Sequence, residues 1–258
     1  SYFVPCILIQ SKSLVTFWTN GGPGCSGLIG MMTEQGPFRP NADKTLTLNE
    51  YAWNKVSNMV FIESPAGVGF SYSDEDADMV IGDAGTAADN YNLIQEFMKR
   101  FPEYSSNDLY ITSESYGGHY MPTLAKEIVD QNTAGNNPLL NFKGFAVGNP
   151  YTDVYSGTPA MIDTFWGHQL VAKPSYDEYQ AKCVSGKKPN LKRCVELEVE
   201  LNTQVGDLNA YALDYPICLD EESKSKSGRA QRAWFKAHLD NKRMEQKDDK
   251  SLRSLTAT

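Results

Sequence analysis

The first 150 residues alternate short apolar runs with a longer amphipathic segment. Four runs rich in β-branched and aromatic side chains are typical of buried strands, and they occupy residues 14–18, 59–62, 109–112 and 142–147. Between residues 84 and 101 apolar side chains recur at helical spacing, and Pro102 follows the predicted helix end. This strand–helix–strand rhythm predicts an α/β protein with a mostly parallel sheet and helices on both faces.

The rhythm stops after Gly148-Asn-Pro150. Residues 151–210 contain two of the five cysteines and charged patches at helical spacing, and no run among them is typical of a strand. We therefore predict that residues 1–150 are the N-terminal part of a sheet-based core and that residues 151–210 are helical.

Charge divides the chain once more near Glu222. The net charge is −8, but residues 224–258 carry 10 Lys or Arg against 4 Asp or Glu. This basic tail is expected to be a solvated helix face or a disordered end, with binding to an anionic surface as the alternative. The acidic remainder argues against nucleic acid as a partner, because phosphate binding needs clustered cations.

Other segments exclude further classes of protein. No stretch reaches the roughly 18 apolar residues that a membrane-spanning helix needs, so no span is predicted. The apolar start of the chain lacks a basic flank and a cleavage site, so we predict no signal peptide. Ser1 instead of Met indicates that the true beginning is missing or has been removed. Without a Cys-x-x-Cys pair and with three scattered histidines, no metal and no cofactor are predicted.

Candidate chemistry begins at Ser115. The run 109–112 leads into Ser-Glu-Ser-Tyr-Gly-Gly-His at residues 113–119, after which apolar residues recur at helical spacing. A sharp strand–helix turn exposes its central serine, and the helix N-terminus offers N–H groups to an oxyanion. Gly117 permits close packing, but Ser113 replaces the usual first glycine. The turn alone therefore leaves an ordinary strand–helix connection open.

A second turn follows the first predicted strand. Asn20-Gly-Gly-Pro-Gly-Cys-Ser26 contains three glycines that can adopt positive φ and leave N–H groups uncovered. Such a loop can aim a donor at a carbonyl oxygen. A plain turn is the alternative.

Taken together, these motifs resemble the serine carboxypeptidase family, secreted or vacuolar α/β-hydrolases that remove single residues from peptide C-termini. The resemblance covers residues 14–219. It rests on the two segments above and on a further ordered set: Glu34-Gln-Gly-Pro37, Trp53-Asn54, Glu63-Ser-Pro-Ala-Gly-Val-Gly-Phe-Ser-Tyr-Ser73, Gly148-Asn-Pro150 and Tyr211-Ala-Leu-Asp-Tyr-Pro-Ile-Cys218. It implies an α/β-hydrolase fold in which residues 151–210 are a helical insertion, or lid, and residues 211–223 return to the core.

The site follows from the motifs and the resemblance together. Ser115 is the expected nucleophile, and the N–H groups of Gly22 and Tyr116 are the expected oxyanion hole. The residues matching those that bind the substrate carboxylate are Asn20, Gly21, Glu34 and Glu114. At least one glutamate must be protonated to donate a hydrogen bond to that carboxylate, so activity is expected to favour acidic pH.

The partners of the nucleophile are not evident. The family's triad continues with an Asp and a His in motifs that we do not find in this sequence. His119 is four residues beyond Ser115, a spacing that directs it away from the turn; His168 lies in the expected insertion and His238 in the basic tail. A serine without a base is a poor nucleophile, so the sequence predicts an incomplete carboxypeptidase.

The pairing of the five cysteines is indicated only by the family resemblance. It implies two disulfides, Cys25–Cys218 and Cys183–Cys194, which leave Cys6 unpaired. Disulfides require an oxidising compartment, so a secreted, vacuolar or lysosomal location is expected. Reduced thiols in a cytosolic protein are the alternative. The chain has no Asn-x-Ser/Thr sequon, so N-glycosylation is not expected.

Three functions remain open at this point. The first is a serine-type carboxypeptidase acting on peptide or protein C-termini. The second is a relative that transfers the same acyl group to a small alcohol, and the retained Glu34 and Glu114 favour peptides over this alternative. The third is a catalytically silent binding protein, which the missing Asp and His motifs would support.

Overall fold

A computed structural model describes the backbone of residues 2–4 and residues 14–185, 191–209, 211–215 and 217. The basic tail, Cys6 and Cys218 lie outside these residues. The chain divides into two compact units, with the boundary between Thr152 and Asp153.

The first unit is built on a five-stranded sheet. Its strands are β1 (Tyr2–Val4), β2 (Val15–Trp18), β5 (Asn58–Phe61), β6 (Leu109–Glu114) and β7 (Phe142–Gly148), and a separate hairpin consists of β3 (Phe38–Pro40) and β4 (Leu46–Leu48). The order in the sheet is β1-β5-β2-β6-β7, and every pair is parallel except β1 with β5. The predicted, mostly parallel sheet is confirmed.

The central strands are largely buried because both faces of the sheet are covered. All four residues of β2 and of β5 are buried. One face packs against the long helices α1 (Asp83–Arg100) and α2 (Gly117–Ala134), which share a single core with the strands. The helix predicted over residues 84–101 corresponds to α1, which begins and ends one residue earlier. At the other face Met31, from a one-turn π-helix at Gly30–Glu34, packs against Trp18, Met59 and Phe61.

The register of the sheet determines where the loop after β2 meets the turn after β6. Trp18 of β2 is paired with Thr112 of β6, and the next amide, of Thr19, donates to the Thr112 carbonyl at 3.2 Å. Two adjacent parallel strands thus end side by side. The loop after β2 and the turn after β6 therefore emerge at the same edge of the sheet, where ligands of open α/β sheets bind.

The described part of the second unit contains three α-helices, α3 (Val154–Gly167), α4 (Lys173–Tyr179) and α5 (Leu191–Val205), and a one-turn π-helix at Gln180–Val184. The Asp153 side chain caps α3 by accepting a hydrogen bond from the Ser156 amide at 2.6 Å. A small apolar core joins the helices, with Ile162, Leu197 and Leu201 fully buried. No helix in the described part of either unit is long and apolar enough to cross a membrane.

One of the two implied disulfides is confirmed. Cys183 and Cys194 are bonded, with their Cα atoms 5.6 Å apart, and the bond ties the segment after α4 to α5. Cys25 forms no disulfide with any cysteine in the described ranges, and its expected partner, Cys218, lies outside them. The Cys25–Cys218 bond therefore stays a prediction.

Peptide mapping without reductant should recover a fragment in which Cys25 is linked to Cys218. A bond that closes a loop of nearly 200 residues restricts the unfolded chain, and chain-entropy models give about 4 to 5 kcal/mol for loops of that order. The Cys183–Cys194 fragment is the internal control, since its bond is already defined. Recovery of a Cys6–Cys25 fragment would contradict the pairing.

Candidate active site

Ser115 lies between β6 and α2 in a strained backbone conformation. Its φ is +54°, in the left-handed region that residues with a Cβ rarely adopt. The surrounding backbone holds it there: the Ser115 amide donates to the Gly148 carbonyl at 3.0 Å, and its carbonyl accepts from the Tyr151 and Gly118 amides at 2.7 and 3.0 Å. A serine on a strained strand-to-helix turn is the arrangement called a nucleophile elbow.

The two glycines after Tyr116 allow this turn to be tight. A Cβ on Gly117 would overlap the Ser113 side chain, and one on Gly118 would overlap the Tyr151 carbonyl. The serine that replaces the usual first glycine is also accommodated. Ser113 is buried and its hydroxyl donates to the Thr19 carbonyl at 2.8 Å. The departure from the common pattern therefore leaves the elbow intact.

The glycine-rich loop packs directly against the elbow. A Cβ on Gly21 would lie 2.5 Å from the Tyr116 amide nitrogen and 2.9 Å from the Ser115 Cβ. Gly22, the next residue, has φ +119°, which only glycine adopts readily. The structure thus brings the loop of the expected oxyanion donor Gly22 against the elbow that holds Ser115 and Tyr116.

Beside the elbow, an amide joins two carboxyl groups. The Asn20 Nδ2 donates to Glu114 Oε1 at 2.8 Å and reaches Glu34 Oε1 at 3.5 Å. The Asn20 Oδ1 accepts from the Trp18 indole at 2.9 Å and the Gly30 amide at 3.0 Å. These bonds fix the orientation of a side chain that is 1% exposed. Asn20, Gly21, Glu34 and Glu114, which the sequence pointed to separately, lie in one cluster.

The site favours protonation of Glu34. Desolvation raises the pKa of the Glu34 carboxyl, and the charge of Glu114 and a hydrogen bond to it act in the same direction. Asn20 and Arg39 oppose the shift in part. Arg39 and Asn49 bond instead to the Glu34 carbonyl, at 2.7 and 3.0 Å. A positioned carboxyl group thus keeps its proton to higher pH than a free glutamate.

His119 is not placed as the general base. Its Nδ1 lies 3.7 Å from Asp83 Oδ2, and its ring stacks on the Tyr116 ring with centroids 4.8 Å apart. No hydrogen bond joins a histidine to Ser115 in the part of the chain that the structure describes. His168 Nδ1 lies 2.9 Å from the Thr164 carbonyl, and His238 lies outside the described residues.

The motif that begins at Glu63 gave no role to its carboxylate, and the structure shows this residue buried at 5% exposure. It accepts hydrogen bonds from the Ser26 hydroxyl and from the Phe70 amide, the latter at 2.8 Å. Glu63 therefore anchors the end of the glycine-rich loop to the segment after β5. An acidic residue directly after a buried apolar strand was the available signal.

Cys25 is the other reactive side chain near the site. Desolvation raises the pKa of its thiol, and the charge of Glu114 adds to the shift. A thiol with a raised pKa holds little of the reactive thiolate, so Cys25, when it is not in a disulfide, is less reactive than a free cysteine. Within the described ranges, no group of three or more His, Cys, Asp or Glu side chains is arranged to hold a metal ion.

Comparison with a solved structure supports the fold. The chain is similar to Kex1(Δ)p, a prohormone-processing carboxypeptidase from Saccharomyces cerevisiae, with a TM-score of 0.63 and 23% sequence identity. The match covers 78% of this chain and 46% of that one. At this identity the likeness supports the shared α/β-hydrolase fold.

Sequence comparison identifies the family. The chain is 42% identical over 221 residues to serine carboxypeptidase-like 28 of Arabidopsis thaliana. The aligned region covers 84% of this chain and 47% of that protein. The chain is 39% identical over 214 residues to serine carboxypeptidase 24 of the same plant, covering 81% and 46%. The chain thus spans about half the length of these relatives. The family model for serine carboxypeptidases matches residues 2–256, and the chain belongs to the serine carboxypeptidase family.

Proposed function

We propose that this chain carries the nucleophile and the carboxylate-binding part of a serine-type carboxypeptidase, which releases C-terminal amino acids from peptides through an acyl-enzyme on Ser115. The observation that supports it is the cluster of Asn20, Glu34 and Glu114 next to the elbow. An endopeptidase or esterase has no use for a carboxylate-binding group beside its nucleophile. An exopeptidase that acts on C-termini requires one.

The proposed reaction assigns each group a role. The Ser115 hydroxyl attacks the carbonyl of the last peptide bond, and the N–H groups of Gly22 and Tyr116 stabilise the oxyanion. Asn20 Nδ2 and the proton of Glu34 donate to the free carboxylate of the leaving residue. The backbone of Gly21 packs against the elbow and connects the carboxylate-binding Asn20 to the oxyanion donor Gly22. Binding the carboxylate there places the last peptide bond at Ser115.

The proposed reaction also needs a general base, which is not among the residues assigned above. We place the Asp and His of the triad in the half of the family's length that this chain does not span. The 258-residue chain is then expected to bind peptides through its carboxylate cluster and to turn them over slowly. Loss of a general base typically costs about 10² to 10⁴ in rate.

The same acyl-enzyme could be intercepted by an alcohol instead of water. Assays that compare amino-acid release from N-blocked dipeptides with acyl transfer to an alcohol separate the two reactions. Release without transfer supports the peptidase. Transfer as the main reaction would contradict it, and binding without either reaction in a form of full family length would support a silent binding protein.

Binding of free-acid dipeptides is expected to weaken as pH rises. The pKa of Glu34 is raised, so its donor proton is present below that pKa and is lost as pH climbs through it, leaving two carboxylates to repel the ligand. An amidated dipeptide carries no charge to repel, so its affinity should change little. Calorimetric titration of the 258-residue chain from pH 4 to 8 measures both.

Two variants sharpen this test. Glu34→Gln keeps a donor at every pH and should flatten the pH dependence for the free acid, whereas the exposed Glu50→Gln should leave it unchanged. Parallel pH curves for the free-acid and amidated ligands would contradict a role of Glu34 and Glu114 in carboxylate recognition.

We further propose that residues 151–210 form the lid of the enzyme and that the protein works in an oxidising compartment, secreted or vacuolar. The Cys183–Cys194 disulfide is consistent with such a compartment. Its location within the helical unit would stabilise a small domain that has only a modest core.

A further inference from the structure

Behind the expected oxyanion donors lies a group of side chains to which the reaction above gives no role. The hydroxyl of Tyr116 lies 3.3 Å from each carboxylate oxygen of Asp83, the first residue of α1. The His119 ring stacks on the Tyr116 ring, and its Nδ1 is 3.7 Å from the same carboxylate. One carboxylate at the start of α1 thus holds the side chain of the residue that follows the nucleophile.

A second contact reaches the glycine-rich loop. Tyr120, one helical turn after Tyr116, meets the Tyr116 ring edge-on with centroids 5.0 Å apart. Its hydroxyl accepts a hydrogen bond from the Gly24 amide at 3.3 Å. Tyr120 is 6% exposed, and desolvation raises the pKa of its phenol, so the group stays neutral. This tyrosine therefore ties α2 to the loop that contains Gly22.

These contacts form one path from α1 to the loop. It runs from Asp83 to Tyr116, from there to Tyr120, and on to Gly24. The two expected donors of the oxyanion hole, Gly22 and Tyr116, follow different strands, so their relative position depends on contacts between the two turns. Oxyanion stabilisation requires donors that are already in place, and a displacement of about 1 Å can cost 10²-fold in rate.

We propose that Asp83 and Tyr120 are positioning residues that hold the two halves of the oxyanion hole in register. The inference rests on the proposed function, because it concerns the same hole. Neither side chain is assigned contact with substrate. Asp83 acts through the side chain of Tyr116, and Tyr120 acts through the Gly24 amide.

The chain offers a matched control for each residue. Asp83→Ala removes the carboxylate, and Asp89→Ala removes an exposed carboxylate from the same helix. Tyr120 and Tyr91 both belong to the core that α1 and α2 share with the sheet. Tyr120→Phe removes the hydroxyl that bonds to Gly24, whereas Tyr91→Phe removes a hydroxyl that accepts a hydrogen bond from Gln95 at 2.9 Å. A general loss of stability should affect both tyrosine variants alike.

Hydrogen exchange on the 258-residue protein tests the positioning directly. Asp83→Ala should speed amide exchange at residues 115–118, and Tyr120→Phe should speed it at residues 21–25, each by about fivefold, as expected for the loss of one hydrogen bond. Asp89→Ala and Tyr91→Phe should leave both segments unchanged. Unchanged exchange in the Asp83 and Tyr120 variants, or equal effects in the controls, would overturn the inference.

A second experiment compares the affinities of two ligands, one of which occupies the oxyanion hole while the other does not. In a peptide boronic acid the Ser115 oxygen adds to boron and its proton passes to solvent, which places a hydroxyl where the oxyanion would lie. Asp83→Ala and Tyr120→Phe should weaken this ligand about tenfold and leave the affinity of a free-acid dipeptide unchanged. Equal weakening of both ligands would contradict a positioning role. In a form of full family length, failure of the unmodified protein to bind the boronic acid would contradict the proposed function, while the exchange result would still decide the positioning.

Discussion

Replacing Ser115 by alanine is expected to abolish covalent labelling by an organophosphorus serine-hydrolase reagent. The reagent reacts at the serine that an elbow exposes, and Ser115 occupies such a turn with φ +54°. In a form of full family length the unmodified protein should label stoichiometrically at this residue. The 258-residue chain should label more slowly, by about 10² to 10⁴, because a general base is missing from the proposed site.

Peptide mass mapping of the labelled protein locates the modified residue. Ser105→Ala is a suitable control, because Ser105 is an exposed serine whose hydroxyl donates to the Pro102 carbonyl at 2.8 Å in a loop before β6. This variant should label like the unmodified protein. Stoichiometric labelling of any serine other than Ser115 would refute the assignment of the nucleophile.

Gly21→Ala should disable the site although it adds a single methyl group. That methyl would lie 2.5 Å from both the Glu114 carbonyl oxygen and the Tyr116 amide nitrogen. The loop and the elbow must separate to admit it, which would displace the N–H donors of Gly22 and Tyr116. We expect a loss of roughly 10²-fold in the labelling rate of Ser115 and a destabilisation of about 1 to 3 kcal/mol from overpacking.

Gly144→Ala provides the comparison for this variant. Gly144 is in β7, and the nearest atom to an added Cβ is Tyr110 Cε1 at 4.0 Å. The methyl group fits there, so stability and labelling should remain close to those of the unmodified protein. Labelling rates and denaturation midpoints of the two variants are the measurements. A Gly21→Ala protein that labels at the normal rate would show that the loop does not shape the oxyanion hole.

The sequence predicted the elements that bury continuous apolar surface. Strands β2, β5, β6 and β7 and helix α1 were found within two residues at each end, because a parallel sheet covered on both faces leaves long apolar runs. The hairpin of β3 and β4 was missed, since its strands have three residues each and are largely exposed. Such short strands carry no periodic signal that sequence reasoning can use.

The motifs named the candidate site residues one at a time, and the contacts that join them came from the structure. The motifs indicated Asn20, Glu34 and Glu114 one by one, and only the register of β2 with β6 brings the first and last of them within 2.8 Å. The resemblance assigned Gly21 to substrate binding, and its close packing against the elbow emerged from the structure. Asp83 gave no signal at all, because its contact with Tyr116 joins positions 33 residues apart.

The backbone of Ser115 also bears on the choice between an enzyme and a silent relative. A left-handed conformation costs a residue with a Cβ about 1 to 2 kcal/mol, and glycine at such a position avoids that strain. A lineage selected only for folding and ligand binding would therefore gain from glycine at residue 115. Serine is thermodynamically disfavoured there, so Ser115→Gly is expected to raise the free energy of unfolding while it removes the proposed nucleophile. The strain at this one residue is what the proposed nucleophile costs the fold.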